Sequence, residues 1–272
     1  MRATYFVIIA GPAGSGKSTL TSALSLWMHE NDLDVVKVNL DPAAELLPYT
    51  PDVDVRRYVK TRDLMIEYGL GPNGALVLSV DYLINYVGEL RRDIEEARGN
   101  YVIIDLPGQL EIVAFRRLGP IILSELTKGY RSAMIFVLDS KLASDASSAY
   151  ASALLALSAL YRVKLPMVIA LNKVDLVVDY ETYRKNPEAL DENLFFLRML
   201  SDYYSCVESG IKTVFIEPSI NEKLCEVFKE TFKEVIPVSS KDMFGVDEVY
   251  ASLQRVLIGG EDFLTEEFSG KI

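Results

Sequence analysis

Cysteine and histidine are scarce: 272 residues hold two cysteines, Cys206 and Cys225, and one histidine, His29. So few sulfur and imidazole groups exclude a disulfide-framework fold and a Cys/His metal centre. Both cysteines fall in segments of helical pattern, where a free thiol is expected to pack as a small apolar residue. His29 sits near the end of the first helical segment and reads as a surface residue rather than a general base. Positive charge is also short, with 28 Lys+Arg against 39 Asp+Glu and a net charge of -11. Such a surface repels nucleic acid and anionic lipid, so neither is expected as a direct partner. Apolar runs are strand-length, well below the ~20 residues that span a bilayer. No basic leader with a cleavage site precedes the first strand, and a cytoplasmic protein is expected.

The chain does contain a phosphate-binding pattern. Gly11-Pro12-Ala13-Gly14-Ser15-Gly16-Lys17-Ser18-Thr19 matches G-x-x-x-x-G-K-[ST] and follows the apolar run Tyr5–Ala10. A strand before and a helix after are the context such a loop needs. Glycines let backbone N–H groups turn inward around a polyphosphate. Lys17 adds a point charge near the β and γ phosphates, Ser18 offers a hydroxyl to Mg²⁺, and the helix beginning near Ser18 aims its positive end at the anion.

Three further strand ends carry chemistry. Asp105-Leu106-Pro107-Gly108-Gln109 closes the run Tyr101–Ile104. Asp105 there can hold Mg²⁺ directly or through water, Pro107 and Gly108 form a loop whose N–H can sense a γ-phosphate, and Gln109 can orient the attacking water. Asn39-Leu40-Asp41-Pro42-Ala43 ends the second strand, placing Asp41 to bind the metal or polarise that water. Asn172-Lys173-Val174-Asp175 ends Met167–Leu171 and has the N-K-x-D spacing that reads guanine. Asp175 can accept from N1–H and the exocyclic amine of guanine together, whereas adenine leaves the carboxylate unpaired at a cost of ~1–3 kcal/mol. Asn172 is expected to tie loops together and Lys173 to cover one face of the base. Ser239-Ser240-Lys241, after the last strand, suits backbone contact with guanine O6.

Apolar runs at Tyr5–Ala10, Val35–Leu40, Tyr101–Leu106, Ala133–Asp139, Met167–Asn172 and Val235–Val238 alternate with helix-period segments. Ser18–Glu30, Ser79–Arg98, Ala143–Tyr161 and Val246–Leu257 are the expected helices. The order predicts an α/β fold, a P-loop NTPase whose mostly parallel central sheet is flanked by helices. A short turn after the first helix makes the first two strands parallel, unlike the small signalling GTPases. We expect one domain over residues 1–272 with insertions at about 45–78 and 179–233, the second mostly helical with breaks at Gly210 and Pro218.

Gly71-Pro72-Asn73, taken with Gly11–Thr19, Asp41, Asp105–Gln109 and Asn172–Asp175 in order, closely resembles the GPN-loop GTPases. The resemblance covers nearly the whole chain and implies a SIMIBI-type homodimeric GTPase, the class that includes signal-recognition GTPases. It implies Mg²⁺ as cofactor, GTP as substrate and GDP as product. It also implies that the Gly-Pro-Asn loop of one subunit completes the other's active site, with Asn73 acting in trans beside Asp41 and Gln109. No lysine stands at positions 12 or 13, so the trans-acting lysine of partition-type ATPases is missing. Arg116 and Arg117 are a fallback arginine finger or solvated helix residues; Glu111 has no assignable role. An assembly switch or chaperone with a protein client, and a small-molecule kinase, remain as alternatives, the N-K-x-D motif arguing against the kinase.

Overall fold

The computed structural model describes residues 4–110, 116–179, 185, 194–201, 203–213 and 217–258. Glu111 lies outside them. A seven-stranded sheet in the order β3-β2-β4-β1-β5-β6-β7 forms the middle layer. Its strands are β1 (Tyr5–Ala10), β2 (Val35–Asn39), β3 (Val53–Asp54), β4 (Tyr101–Asp105), β5 (Arg131–Asp139), β6 (Met167–Asn172) and β7 (Val235–Val238). Every pairing is parallel. β1 and β2 run the same way as expected, although β4 separates them. This all-parallel sheet flanked by helices is the α/β arrangement expected above.

Burial on both faces explains the continuous apolar strands. In β1, Phe6, Ile8 and Ala10 enter one core, while Tyr5, Val7 and Ile9 enter the opposite one. The second core is capped by α1 (Lys17–Glu30) and α10 (Val246–Ile258), through Leu20, Leu24 and Met28 and through Val249, Leu253 and Leu257. Across the sheet lie α4 (Val87–Ala97), α5 (Leu118–Thr127) and α6 (Ala146–Val163). Ala149, Ala153, Ala156 and Ala159 are buried on α6 and join the same core as Phe6 and Ile8. No helix of the described residues is long and apolar enough to cross a membrane.

The expected helix over Ser79–Arg98 is corrected. Helix α3 runs Pro72–Tyr82, a 3₁₀ turn covers Leu83–Tyr86, and α4 begins only at Val87. Leu76 and Val80 form a small cluster of their own, whereas Leu83, Val87, Leu90 and Ile94 enter the main core. One straight helix cannot aim a single stripe at both, and the tightened turn redirects it. Before α3 come a short β3 and α2 (Thr61–Tyr68), neither of which was foreseen.

The late helices are α7 (Phe195–Ser201), α8 (Tyr203–Thr213) and α9 (Pro218–Thr231). Pro218 occupies the first turn of α9 as expected of a break, but Gly210 lies inside α8. A Cβ at Gly210 would stand 2.1 Å from Asn221 Oδ1, so glycine serves close helix contact there. The cysteines need a second correction: Cys206 and Cys225 are joined in a disulfide linking α8 to α9, with Cα atoms 6.0 Å apart. Their separation of 19 residues spans two helices, which hid the pairing from the chain order. Closing a loop of that length restricts the unfolded chain by about 3 kcal/mol. Cys225→Ser, or reduction, is expected to lower the unfolding free energy by about that amount in urea titrations; equal midpoints with and without reductant would refute it.

Candidate functional site

Parallel strands bring their C-terminal ends to one edge of the sheet, and the loops after β1, β2, β4, β6 and β7 meet there. The loop after β1 leads into α1 through Gly16, which caps the helix at φ 94°. A Cβ on Gly16 would lie 2.4 Å from Asn172 Nδ2, so this position is closed to other residues by contact as well as by conformation. Ser15 is buried, Ser18 is half-buried, and Gly14 and Thr19 are exposed.

Lys17 is 5% exposed and folds back over its own loop. Its Nζ donates to the carbonyls of Gly11 and Pro12, each at 3.0 Å, and of Gly108 at 3.2 Å. Gly108 is held from the other side, its N–H donating to Asp41 Oδ2 at 3.3 Å. The Asp41 loop is itself built: Asn39 Oδ1 accepts from Asp41 N–H at 3.0 Å, and Asp41 Oδ1 accepts from Ala43 N–H at 2.8 Å. The structure therefore gathers Lys17, Asp41, Asp105 and Gly108 at one edge of the sheet.

Asp105 is 1% exposed and sits in register between Ile9 and Asn39. Its Oδ2 accepts from Tyr49 Oη at 2.9 Å, while its Oδ1 is buried with no hydrogen-bond partner. Burial pushes its carboxyl from the ordinary 3.8 up to about 6, opposed by hydrogen bonds from Ser18 and Tyr49 and by the Lys17 charge. An orphaned buried carboxylate oxygen beside a serine hydroxyl and a second carboxylate is a fit for a hard divalent cation. Among the described residues no set of three or more His, Cys, Asp or Glu side chains clusters as a closed metal cage. That suits Mg²⁺, which is usually held by one or two protein oxygens together with phosphates and waters.

The loops after β6 and β7 are equally connected. Asn172 is 1% exposed; its Nδ2 donates to Ser15 O at 3.0 Å, and its Oδ1 accepts from Ser240 N–H at 3.1 Å and Ser240 Oγ at 2.8 Å. Lys173, at φ 65°, donates to Gly14 O at 2.5 Å and to Asp139 Oδ2 at 2.7 Å. Asp175 accepts from Ser239 Oγ at 3.0 Å. Lys241 is exposed.

A family model described as a conserved hypothetical ATP binding protein matches residues 9–257. GPN-loop GTPase 3 of Mycosarcoma maydis is 35% identical over 265 residues, 95% of this chain and 93% of that protein. The chain belongs to the GPN-loop GTPase family. GPN-loop GTPase 1 of Dictyostelium discoideum is 28% identical over 94% of this chain, which spans 62% of that longer relative. The crystal structure of a GTPase in apo form from Pyrococcus abyssi is 28% identical, covers 94% of this chain and 98% of that one, and gives a TM-score of 0.77.

The family's Gly-Pro-Asn tripeptide opens α3, with Gly71 as its N-cap and Pro72 in the first turn. Gly71, Pro72 and Asn73 are all exposed. Within one chain, Asn73 Oδ1 accepts from Gln109 Nε2 at 3.4 Å, which ties the tripeptide to the loop after β4. Arg116 and Arg117 precede α5 rather than lying in a helix; Arg116 pairs with Asp81 of α3 at 3.1 Å, and Arg117 is exposed. Tyr49, Asn39 and Asp139 escaped sequence reasoning. Asn39 and Asp139 carried a usable signal, since each ends a strand as Asp105 and Asn172 do; Tyr49 sits in an irregular connection and had none.

A carboxyl raised on folding favours the native state below its unfolded pKa, and that support is lost as pH rises through about 6. In metal-free buffer, Asp105→Asn is expected to gain stability over the parent by about 2 kcal/mol between about pH 4.5 and about pH 7.5. Parallel pH profiles of the two proteins in urea would contradict this.

Proposed function

We propose that this chain is a Mg²⁺-dependent GTP hydrolase acting as a cytoplasmic homodimer, in which the Gly-Pro-Asn loop of each subunit completes the other's site. The observation that carries the GTP reading is the base-reading cluster. Asp175 is aligned by Ser239, and the loop is anchored by Asn172 to both the phosphate loop and Ser240. A carboxylate so positioned pairs with the two donors of guanine and has no such pair on adenine.

In the reaction a water attacks the γ-phosphorus, the bond to the β–γ bridging oxygen breaks, GDP departs with that electron pair, and the water's protons pass to phosphate. Lys17 turns from its carbonyl partners to the β and γ phosphates. Gln109 and Asp41 orient the water, and Gly108 N–H meets the γ-phosphate. Ser18, Asp41 and Asp105 would hold Mg²⁺, which when bound supplies charge neutralisation at the phosphate oxygens. The exposure of Asn73 supports the trans role, since the amide that touches Gln109 is open to a second subunit. As a neutral group it contributes positioning more than charge. The joint grip of Lys17 and Asp41 on Gly108 also supports the switch reading, in which bound phosphate alters that loop and a protein client senses it.

Asp175→Asn is expected to weaken GTP binding and strengthen xanthosine triphosphate binding by about tenfold each in competition titrations. Undiminished GTP selectivity would overturn the base assignment. Asn73→Ala is expected to keep GTP affinity and lose about 10²-fold in turnover. Co-expressed with Lys17→Ala chains, it should recover part of that rate, because each Lys17→Ala chain lends its intact Asn73. Absence of recovery in the mixed dimer would remove the trans arrangement.

A further inference from the structure

A hollow of about 1050 Å³ opens beside the phosphate site, between the Asp41-Pro42 loop and α2. Arg56, Arg57, Lys60 and Arg62 line it beside two carboxylates, Glu45 and Asp54, an excess of positive charge in a chain of net charge -11. Arg56 is structural: its Nη2 pairs with Asp54 at 2.7 Å and its Nη1 donates to Ala44 O at 2.8 Å. Arg57, Lys60 and Arg62 are exposed, and no ion pair or side-chain hydrogen bond engages them among the described residues. Crowding three unpartnered cations in one concavity costs self-repulsion, which an occupant carrying carboxylates relieves.

The shape narrows the occupant. Pro42, Ala43, Met65 and Pro72 supply an apolar lining between the cations. A bare phosphate or pyrophosphate gains nothing from that surface, and the volume lies at or above the ~300–1,000 Å³ of small-molecule sites. Guanidinium groups take carboxylates in bidentate pairs, and an apolar floor takes the side chains between them. A nucleic acid extends its charge well beyond the hollow, into the field of an acidic protein. A short peptide confines its charge within the cationic patch.

We propose that this hollow binds an acidic peptide segment, with interspersed apolar residues, of a protein partner. Its walls lead to the reacting groups. Thr61 N–H at the start of α2 donates to Pro42 O at 3.1 Å, next to Asp41. Thr61 Oγ1 shares a buried hydrogen bond with Ser79 Oγ at 2.9 Å, on the helix that begins with Pro72 and Asn73. A bound segment thus touches the neighbours of both Asp41 and Asn73. Binding itself does not depend on the reading of turnover given above.

The test is fluorescence anisotropy with a labelled decapeptide of alternating Glu and Leu, and its Gln/Leu counterpart, titrated with the full chain at low and moderate salt. The Glu/Leu peptide is expected to bind about tenfold more tightly than the Gln/Leu peptide, and to weaken with salt. The triple variant Arg57→Glu/Lys60→Glu/Arg62→Glu should lose at least about tenfold in affinity for it. The milder Lys60→Gln/Arg62→Gln should lose part of that affinity at an unchanged melting temperature. Affinity of either variant for a GTP analogue stays at the parent value, which separates this result from failure of the GTPase assignment. Equal peptide binding by parent and variants overturns the proposal. So does displacement by pyrophosphate at the peptide's own concentration, which would make the hollow a small-anion site. A labelled single-stranded oligonucleotide binding more tightly than the peptide, or a triple variant that sediments as a lighter species, would reassign it to nucleic acid or to a second copy of the chain.

Discussion

The side-chain amide of Asn172 is the interaction on which the site depends. From the end of β6 it donates to the phosphate loop at Ser15 and accepts two hydrogen bonds from Ser240 beyond β7. A buried amide left without partners costs about 1–3 kcal/mol, so the three loops are favoured in one arrangement. The sheet makes this possible, because parallel pairing of β5, β6 and β7 in register delivers Asp139, Asn172 and Val238 to the same level. Lys173 and Ser239 follow immediately and inherit that placement. Gly16 belongs to the same constraint, since a side chain there would collide with the Asn172 amide. The loops after β1, β6 and β7 are therefore tied into one unit rather than standing as separate motifs.

The part of the molecule legible in its sequence is the part governed by local pattern. Six apolar runs became strands within a residue or two, because burial on both faces demands an unbroken Val/Ile/Leu composition. Their polar terminators gather at one edge, because in a parallel sheet every strand's C-terminal end faces the same crevice. What stayed hidden depends on contacts distant in the chain. Tyr49 reaches Asp105 from a connection with no periodicity. Cys206 and Cys225 meet only when α8 and α9 pack side by side, and Gly210 reads as a breaker until Asn221 is seen against it. The break at Leu83–Tyr86 belongs to the same class, since two separate apolar clusters impose it on a continuous helical pattern.

The groups around Lys17 form a self-satisfied arrangement that a polyphosphate must replace. Three carbonyl oxygens occupy its ammonium group, one of them on Gly108. In the proposed reaction Lys17 turns to the phosphates, and Gly108 then keeps only its tie to Asp41. Gly108 precedes Gln109, whose amide meets Asn73 at the start of α3. In that proposal the same ligand would bring a cation to Asp105, whose buried charge is the costly one in this cluster and whose Oδ1 has no donor of its own. Tyr49 already satisfies Oδ2, which leaves Oδ1 as the oxygen that would hold the cation. The proposed reaction would thus relieve the least satisfied group of the site while loosening the loop that leads to Asn73. In the proposed dimer, a loop freed in this way is rebuilt around a γ-phosphate, with the exposed Asn73 as the second subunit's point of contact.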